Sequence, residues 1–234
     1  MLDFEGRRVL VSGGTSGIGQ AIAQAFSLAG ANVLAVGLAS EGCLTAPVQT
    51  EILDITDTSA VDKLVGSLSV LDVVVNAAGI IRRDEEFDLD IFKQVLDVNL
   101  VSAMRVCMAA HPKLRVSGGS IINIASMLSF FGGGRVPAYS ASKGGIVQLT
   151  RSLAVAWAPD HIRVNAIAPG WISTPLTQGL QDDAKRSAEL VSRTPLGRWG
   201  RAEEIAGPVL FLASGLASFI TGAVIPVDGG YSVS

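Results

Sequence analysis

Tyr139 and Lys143 stand four residues apart in the segment Tyr139-Ser-Ala-Ser-Lys143. On a helix this spacing places both side chains on one face, so that the lysine ammonium lies near the tyrosine phenol. A tyrosine with its usual pKa near 10 is a poor base at neutral pH, but a neighbouring cation favours the phenolate. The pair therefore predicts a tyrosine adapted to general acid and base chemistry.

A glycine-rich segment, Ser12-Gly-Gly-Thr-Ser-Gly-Ile-Gly19, follows a Val-Leu-Val run and precedes an apolar stretch over 20–29. Glycines at positions 13, 17 and 19 let the backbone approach a ligand, and the start of a helix offers free N–H groups to anionic oxygens. A purely structural turn is the alternative, but the position after the first strand of an α/β chain favours a pyrophosphate-binding loop.

The elements that must position these residues are short, almost continuously apolar runs separated by helix-length segments. This pattern is typical of buried parallel strands in an alternating β/α protein and predicts one doubly wound, seven-stranded parallel sheet with helices on both faces. The predicted strands are 8–12, 32–37, 51–53, 70–76, 120–125, 163–168 and 224–228. The clearest predicted helices are 17–29, 89–110, 138–158 and 202–214.

Connections and boundaries refine this prediction. Pro226 cannot donate to a ladder, so the last strand is expected at an edge of the sheet. The connection 38–50 leaves room for at most a turn or two of helix, and the next one, 57–69, is also brief. Because no linker or repeat interrupts the pattern, residues 1–234 are expected to form a single domain.

The composition excludes several classes of protein. With 49% hydrophobic and 17% charged residues among 234, the chain has enough apolar material for a large core and does not resemble a disordered protein. A net charge of −3 without a basic block gives no indication of nucleic-acid or membrane-surface binding. No apolar run approaches the roughly 18 residues of a membrane span, and the N-terminus does not fit a secretory signal. Cys43 and Cys107 lack metal-ligand spacing, so we expect reduced thiols, no metal site and a cytoplasmic protein.

Taken together, the motifs resemble those of the short-chain dehydrogenase/reductase family over nearly the whole chain. The glycine spacing, Gly-x-x-x-Gly-x-Gly, is similar to the variant of the dinucleotide fingerprint that this family uses. The other matching residues appear in the family's order: Asp54, Asn76-Ala-Ala-Gly79, Asn99, Ser126, Tyr139, Lys143 and Pro169-Gly170. The resemblance implies a Rossmann fold and an NAD(P)-dependent oxidoreductase that transfers a hydride between a nicotinamide and a secondary alcohol or ketone.

The resemblance also implies roles for four catalytic residues. Tyr139 exchanges a proton with the substrate oxygen, and Ser126 supplies a hydroxyl to that same oxygen. Lys143 holds the nicotinamide ribose hydroxyls and, together with the positive nicotinamide ring, favours the tyrosine phenolate. Asn99 holds a water that links Lys143 to solvent.

Further residues are implied as cofactor contacts. Asp54 and Ile55 resemble the pair that contacts the adenine, although Asp54 as the N-cap of the following helix is a second interpretation. Ile172 and Thr174 resemble the residues that bind the nicotinamide carboxamide. The full expected set is Gly13, Ser16, Gly17, Ile18, Gly19, Leu38, Asp54, Ile55, Asn76, Ala77, Gly79, Tyr139, Lys143, Ile172 and Thr174.

The choice between NAD and NADP depends on the end of the second strand, where the chain reads Gly37-Leu38-Ala39. An acidic residue there bonds the ribose 2′-hydroxyl, whereas a basic residue pairs with a 2′-phosphate. This chain has neither, and Ser16 stands where NADP-preferring relatives often carry a cation. The sequence therefore favours NAD and leaves NADP open.

The substrate loops resemble those of the 2-dehydro-3-deoxy-D-gluconate 5-dehydrogenase subfamily, whose members act on a keto-deoxy sugar acid. Such a substrate needs a cation for its carboxylate, for which arginine is suited. The candidate contacts are Arg82, Arg83, Ser126, Arg135 and Tyr139, with Arg198 as either a further contact or an anchor of the loop. A 3-oxoacyl carrier-protein reductase shares the catalytic set and is the alternative; a non-catalytic cofactor-binding scaffold is a lesser one.

The resemblance further implies a homotetramer. Helical stretches over 95–110 and 138–158 carry apolar residues on more faces than one core needs, which is consistent with a buried interface. Thorough burial within one subunit would give the same pattern. The C-terminal segment 225–234 resembles one that often reaches a neighbouring subunit.

Overall fold

The computed structural model describes residues 2–39 and 47–234. Seven strands form one parallel sheet in the order β3-β2-β1-β4-β5-β6-β9, and two short strands, β7 and β8, pair separately. The strands are β1 Arg8–Ser12, β2 Asn32–Gly37, β3 Gln49–Ile52, β4 Val73–Asn76, β5 Ser120–Ile124, β6 Arg163–Pro169, β7 Ile172–Ser173, β8 Gly200–Arg201 and β9 Val224–Val227. The predicted doubly wound, seven-stranded sheet is confirmed, and Pro226 lies in the edge strand β9 as predicted.

Helices cover both faces of this sheet. They are α1 Gly17–Leu28, α2 Thr58–Ser67, α3 Leu89–Leu96, α4 Ser102–Ser117, α5 Pro137–Trp157, α6 Gln178–Gln181, α7 Ala184–Ser192 and α8 Glu203–Ala213. Alternate residues of a strand point to opposite faces. Val9 and Val11 therefore join one apolar cluster with α1 and α8, while Leu10 joins another with α2 and α4. This burial on both sides explains why the strands read as continuous apolar runs.

The predicted helix over 89–110 is divided in the structure. A π-helical turn, Asp97–Val101, separates α3 from α4, and α4 continues past Pro112 to Ser117. Periodicity alone does not reveal a π turn, because one additional residue per turn changes the pattern only locally.

The two short connections differ in what the structure shows. Most of the stretch 38–50 lies outside the described residues, so the expectation that it leaves room for at most a turn or two of helix stays a prediction. The connection 57–69 holds the ten-residue helix α2.

A chain of buried side-chain hydrogen bonds runs from β1 to helix α5. The Ser12 hydroxyl donates to Asn76 Oδ1 at 3.3 Å, and Asn76 Nδ2 donates to Asn123 Oδ1 at 2.9 Å. Asn123 Nδ2 donates to Thr150 Oγ1 at 2.9 Å, and that hydroxyl donates to the carbonyl of Ile146 at 2.8 Å. These contacts cross three strands and tie α5 to the sheet.

None of the helices in the described ranges combines the length and the apolar character that a membrane crossing requires.

We predict that Asn123→Ala lowers the free energy of unfolding by about 3 kcal/mol. The substitution leaves the amide of Asn76 without its oxygen partner and opens a small cavity inside the sheet. Urea denaturation followed by tryptophan fluorescence measures the change. Asn32→Ala is the matched control: Asn32 is exposed at the start of β2, and we expect a change within about 0.5 kcal/mol. Equal losses for the two variants would contradict the importance of the buried chain.

Candidate active site

A cavity of about 630 Å³ opens at the carboxyl ends of the parallel strands. Ligands bind at this edge in open α/β sheets, because the strand order reverses there and the loops diverge. The cavity is lined by the predicted cofactor residues Gly13, Ser16, Gly17, Ile18, Gly19, Leu38, Asp54, Ile55, Ala77, Gly79, Tyr139, Lys143, Ile172 and Thr174, and by Ser126. No cluster of three or more His, Cys, Asp or Glu residues within 2–39 and 47–234 is arranged to hold a metal ion.

The glycine-rich loop is shaped to receive a diphosphate. Gly13 has a φ of +69°, and a Cβ there would lie 2.5 Å from the backbone nitrogen of Ala78. A Cβ on Gly19 would lie 2.1 Å from the Gly13 carbonyl oxygen, so the close packing of α1 on β1 requires glycine. Ser16 precedes α1 without a capping side-chain hydrogen bond, and the first turn has no acidic residue. The first-turn N–H groups therefore suit the diphosphate of a dinucleotide.

Asp54 lines the cavity and forms a local turn. Its Oδ1 accepts hydrogen bonds from the Thr56 backbone N–H and hydroxyl, both at 2.8 Å, and these bonds lower the pKa of the carboxyl. The N-cap of α2 is Asp57, which accepts from the Ala60 N–H at 3.1 Å. The second interpretation of Asp54, as the N-cap of this helix, is therefore wrong.

Asn76 is placed differently from the other predicted cofactor residues. Its side chain is buried and bonded to Ser12, Asn123 and the Cys107 sulfur, and it does not line the cavity. Successive residues of a strand point to opposite faces of the sheet. The side chain of Asn76 points into the layer between the sheet and its helices. Ala77, Ala78 and Gly79 line the cavity in its place.

Tyr139 and Lys143 lie on one face of α5, with the Lys143 Nζ 5.7 Å from the centre of the tyrosine ring. The ammonium donates to the carbonyl of Ile124, at the end of β5, at 2.7 Å. Lys143 is 4% exposed, and this burial lowers its pKa to about 8. The lysine therefore holds its proton only weakly near physiological pH.

The surroundings of the Tyr139 phenol act on its pKa in both directions. Burial raises its pKa, although a hydrogen bond with Ser126 and the positive charge of Arg83 act in the opposite direction. Glu86 raises it further. The side chains alone thus do not favour the phenolate, because desolvation of the charged form outweighs the nearby cation.

Asn99 lies within the π-helical turn, buried beside the cavity. Its Oδ1 accepts from the Ile80 N–H at 2.7 Å, and its Nδ2 donates to the Ile80 carbonyl at 2.9 Å. A Cβ on Gly79 would lie 3.4 Å from Asn99 Oδ1 and 3.6 Å from Lys143 Nζ. The Asn99 side chain therefore fixes the backbone of the segment after β4 beside Lys143. The role of Asn99 in holding a water stays a prediction.

The predicted substrate arginines separate into two groups. Arg82 lines the cavity, and Arg83 is half-buried with a pKa lowered mainly by burial. Within the described part of the chain, no ion pair engages either guanidinium. Arg135 is exposed and pairs with Asp84, its Nε 2.8 Å from Oδ1, and Arg198 pairs with Glu204 at 2.7 Å. Arg135 therefore does not reach the cavity, and Arg198 anchors its loop.

Sequence reasoning missed two residues around the cavity. Thr15 is buried and lines the cavity, where its hydroxyl occupies the space that a side chain at position 37 would fill. Glu86 is buried among exposed acidic neighbours. A run such as Asp84-Glu-Glu86 indicates a solvated surface, so no signal in the sequence identifies Glu86.

Comparisons with known proteins agree with this geometry. A family model described as enoyl-(acyl carrier protein) reductase matches residues 13–232. The 2-dehydro-3-deoxy-D-gluconate 5-dehydrogenase of Bacillus subtilis is 40% identical, with 97% of this chain and 95% of that protein covered. The 3-oxoacyl-(acyl-carrier-protein) reductase of Thermotoga maritima is 38% identical, with 97% and 98% covered.

A solved structure of a sugar-acid dehydrogenase is also similar to this chain. Gluconate 5-dehydrogenase from Burkholderia cenocepacia, in complex with NADP and tartrate, superimposes with a TM-score of 0.92 at 32% identity, covering 100% of this chain and 98% of that chain. The shared fold, the glycine-rich loop and the Ser126, Tyr139 and Lys143 constellation lead to one assignment. This chain belongs to the short-chain dehydrogenase/reductase family and is an NAD(P)-dependent oxidoreductase acting on a CH–OH group.

Proposed function

We propose that the protein interconverts a keto-deoxy sugar acid, or a closely related sugar acid or polyol, with its oxidised or reduced partner. One observation carries this proposal: a single cavity is lined by the glycine-rich loop, the Ser126–Tyr139–Lys143 group and Arg82. The first supports dinucleotide binding, the second supports proton transfer at a carbonyl oxygen, and the third supports recognition of a carboxylate.

The reaction divides between cofactor and protein. The nicotinamide, when bound, supplies or accepts the hydride. Tyr139 donates a proton to the substrate oxygen during reduction and receives it during oxidation, and the hydroxyl of Ser126 orients that oxygen by hydrogen bonding. Lys143, whose pKa is about 8, passes a proton between this site and solvent, and it would hold the ribose hydroxyls of the bound cofactor.

The substrate class follows from the charges around the reacting centre. Arg82 lines the cavity, and the half-buried Arg83 follows it in the loop that leads to Glu86. The positive charges of these two arginines support recognition of a carboxylate. The Bacillus subtilis relative is named for a keto-deoxy sugar acid, and the Burkholderia cenocepacia structure holds tartrate, a hydroxy acid. Both support an acid substrate. The Thermotoga maritima relative keeps an acyl carrier-protein thioester as the alternative.

The cofactor proposal is NAD, with NADP as the alternative. At the adenosine end, Leu38 is 73% exposed and carries no charge, and Thr15 and Ser16 supply hydroxyls without a cation. These groups suit a ribose 2′-hydroxyl better than a 2′-phosphate. NADP is bound in the Burkholderia cenocepacia structure, so both cofactors belong in any assay.

We further propose that residues 1–234 act as one catalytic domain in a cytoplasmic homotetramer. Three exposed apolar side chains support an interface along α4 and α5: Val101 just before α4, Met108 on α4 and Val155 on α5.

The decisive experiment is a panel of sugar acids, polyols and acyl thioesters, each tested with NAD(H) and NADP(H) while the absorbance of the reduced nicotinamide is followed. Turnover of a sugar acid with the highest kcat/KM supports the proposal. Preference for the acyl thioester would establish the alternative function.

We predict that Tyr139→Phe removes nearly all turnover while cofactor affinity stays within a few-fold of wild type. The phenol transfers a proton and contributes little to binding, so kcat falls and the cofactor Kd does not. Steady-state kinetics and fluorescence titration with reduced cofactor measure the two quantities. Tyr231→Phe, the same change at the other tyrosine, is the control and should keep full activity. A Tyr139→Phe enzyme with substantial kcat would refute the mechanism.

We predict that Arg82→Ala raises KM for a sugar acid on the order of 100-fold, because a charge-assisted bond to the carboxylate is lost. A neutral polyol should show little change, and Arg83→Ala should discriminate in the same direction. Arg151→Ala, at an exposed position of α5, serves as the control. Similar effects on acid and neutral substrates would show that these arginines do not bind a carboxylate.

A further inference from the structure

Glu86 is an acidic residue with 1% exposure, and the mechanism above does not use it. Each of its carboxylate oxygens accepts one backbone hydrogen bond. Oε1 accepts from the Arg82 N–H at 2.9 Å, and Oε2 accepts from the Tyr139 N–H at 2.8 Å. A buried carboxylate is costly unless its oxygens are hydrogen-bonded. The two backbone hydrogen bonds offset this cost and tie Glu86 to two separate segments of the chain.

The start of helix α5 explains one of these bonds. Val136, the N-cap residue, has no side chain that can accept a hydrogen bond, and Pro137 has no N–H. The Tyr139 N–H belongs to the first turn, where such groups lack partners within the helix. Glu86 supplies that partner from a distant segment, and its negative charge is favourable at a helix N-terminus.

The other bond reaches the loop that presents the arginines. By accepting from the Arg82 N–H, Glu86 fixes the backbone of an arginine that lines the cavity. The same carboxylate attracts the half-buried guanidinium of Arg83, whose pKa it raises against the effect of burial. One side chain thus joins the substrate-facing loop to the residue that carries the reacting phenol.

From this arrangement we propose that Glu86 is a positioning residue, whose carboxylate holds the loop of Arg82 and Arg83 in register with the phenol of Tyr139. Glu86 is not among the residues that line the cavity, and it acts through two backbone N–H groups. The distance between the carboxylate-binding cations and the proton-transfer group is then set by one bidentate contact. As far as it concerns the arginines, this inference rests on the proposed function.

The proposal has an electrostatic consequence at the phenol. The charged groups facing Tyr139 are Arg83 and Glu86 from the loop and Lys143 from its own helix, with Arg82 on the same cavity and Ser126 as hydrogen-bond partner. Glu86→Gln removes the one negative charge among these groups and places an NH₂ group against a backbone N–H. Loss of the negative charge, and any entry of water through the loosened contact, both favour the phenolate.

The test uses a direct titration of Tyr139. The chain has two tyrosines, so Tyr231→Phe leaves Tyr139 as the only one, and its phenolate absorbance can be followed against pH without substrate. In this background we expect Glu86→Gln to move the titration midpoint to lower pH by at least ~0.5 unit. Cofactor affinity, measured by fluorescence titration, should stay within a few-fold and shows that the fold is retained.

Activity provides the second readout. With the best substrate of the panel, Glu86→Gln should lower kcat/KM at least ~10-fold, as expected when a reacting group is displaced by about an ångström. Glu86→Asp, which keeps the charge but shortens the reach, should lower kcat/KM while the phenol midpoint moves less than in Glu86→Gln. This variant also serves if Glu86→Gln fails to fold.

Glu85→Gln is the matched control, because it removes the same charge from the exposed neighbouring position. It should leave both the phenol midpoint and kcat/KM at wild-type values. The proposal is overturned if Glu86→Gln changes only the melting temperature. If Glu86→Gln does not fold, the same result with Glu86→Asp overturns it. Failure of the sugar-acid function is recognised separately in the substrate panel, since the phenol titration needs no substrate.

Discussion

The amides of Asn76 and Asn123 meet inside the sheet, where burial shields them from bulk solvent. Each must find protein partners, and the two neighbours that complete the chain are Ser12 on β1 and Thr150 on α5. Backbone ladders fix strands relative to one another, but they do not fix a helix lying across them. This polar chain does so, since sliding α5 along the sheet would leave buried amides without partners. The separation between the glycine-rich loop after β1 and the reacting groups on α5 follows from it.

Of the two reacting groups, Lys143 is held at a cost in stability, because its ammonium is desolvated while it is still charged. The ammonium of Lys143 and the phenol of Tyr139 are both displaced by burial from their usual pKa, in opposite directions. Burial thus acts on the two groups in opposite ways: the lysine loses its proton more readily, and the tyrosine keeps its own more firmly. A bound nicotinamide adds positive charge beside the phenol, which would oppose the effect of burial there.

Much of the architecture could be predicted from the sequence. Strands β1 and β2 begin and end where predicted, because runs buried on both faces leave a strong apolar signal. Tyr139 and Lys143 share a face because helical spacing alone determines it. The glycine-rich loop was recognisable because close backbone approaches permit only glycine, and Gly13 and Gly19 meet such approaches.

Other features depend on partners that are distant in the chain, and for these the sequence carries little signal. Arg135 is as cationic as Arg82, yet its side chain is engaged by Asp84. Asn76 and Ala77 are adjacent, and only the direction of the side chain decides that one supports the sheet while the other lines the cavity. Glu86 became significant only when the fold placed it against the start of α5.

The π-helical turn at Asp97–Val101 has a consequence for how this family of chains can vary in length. Each residue of a helix advances the next side chain by about 100°, so the additional residue in this turn sets the rotational phase between α3 and α4. The present phase lets the Asn99 amide form hydrogen bonds with both the N–H and the carbonyl of Ile80. Deleting one residue here would rotate that amide away while both helices still formed. Insertions and deletions should therefore be tolerated in surface loops and rejected in this stretch.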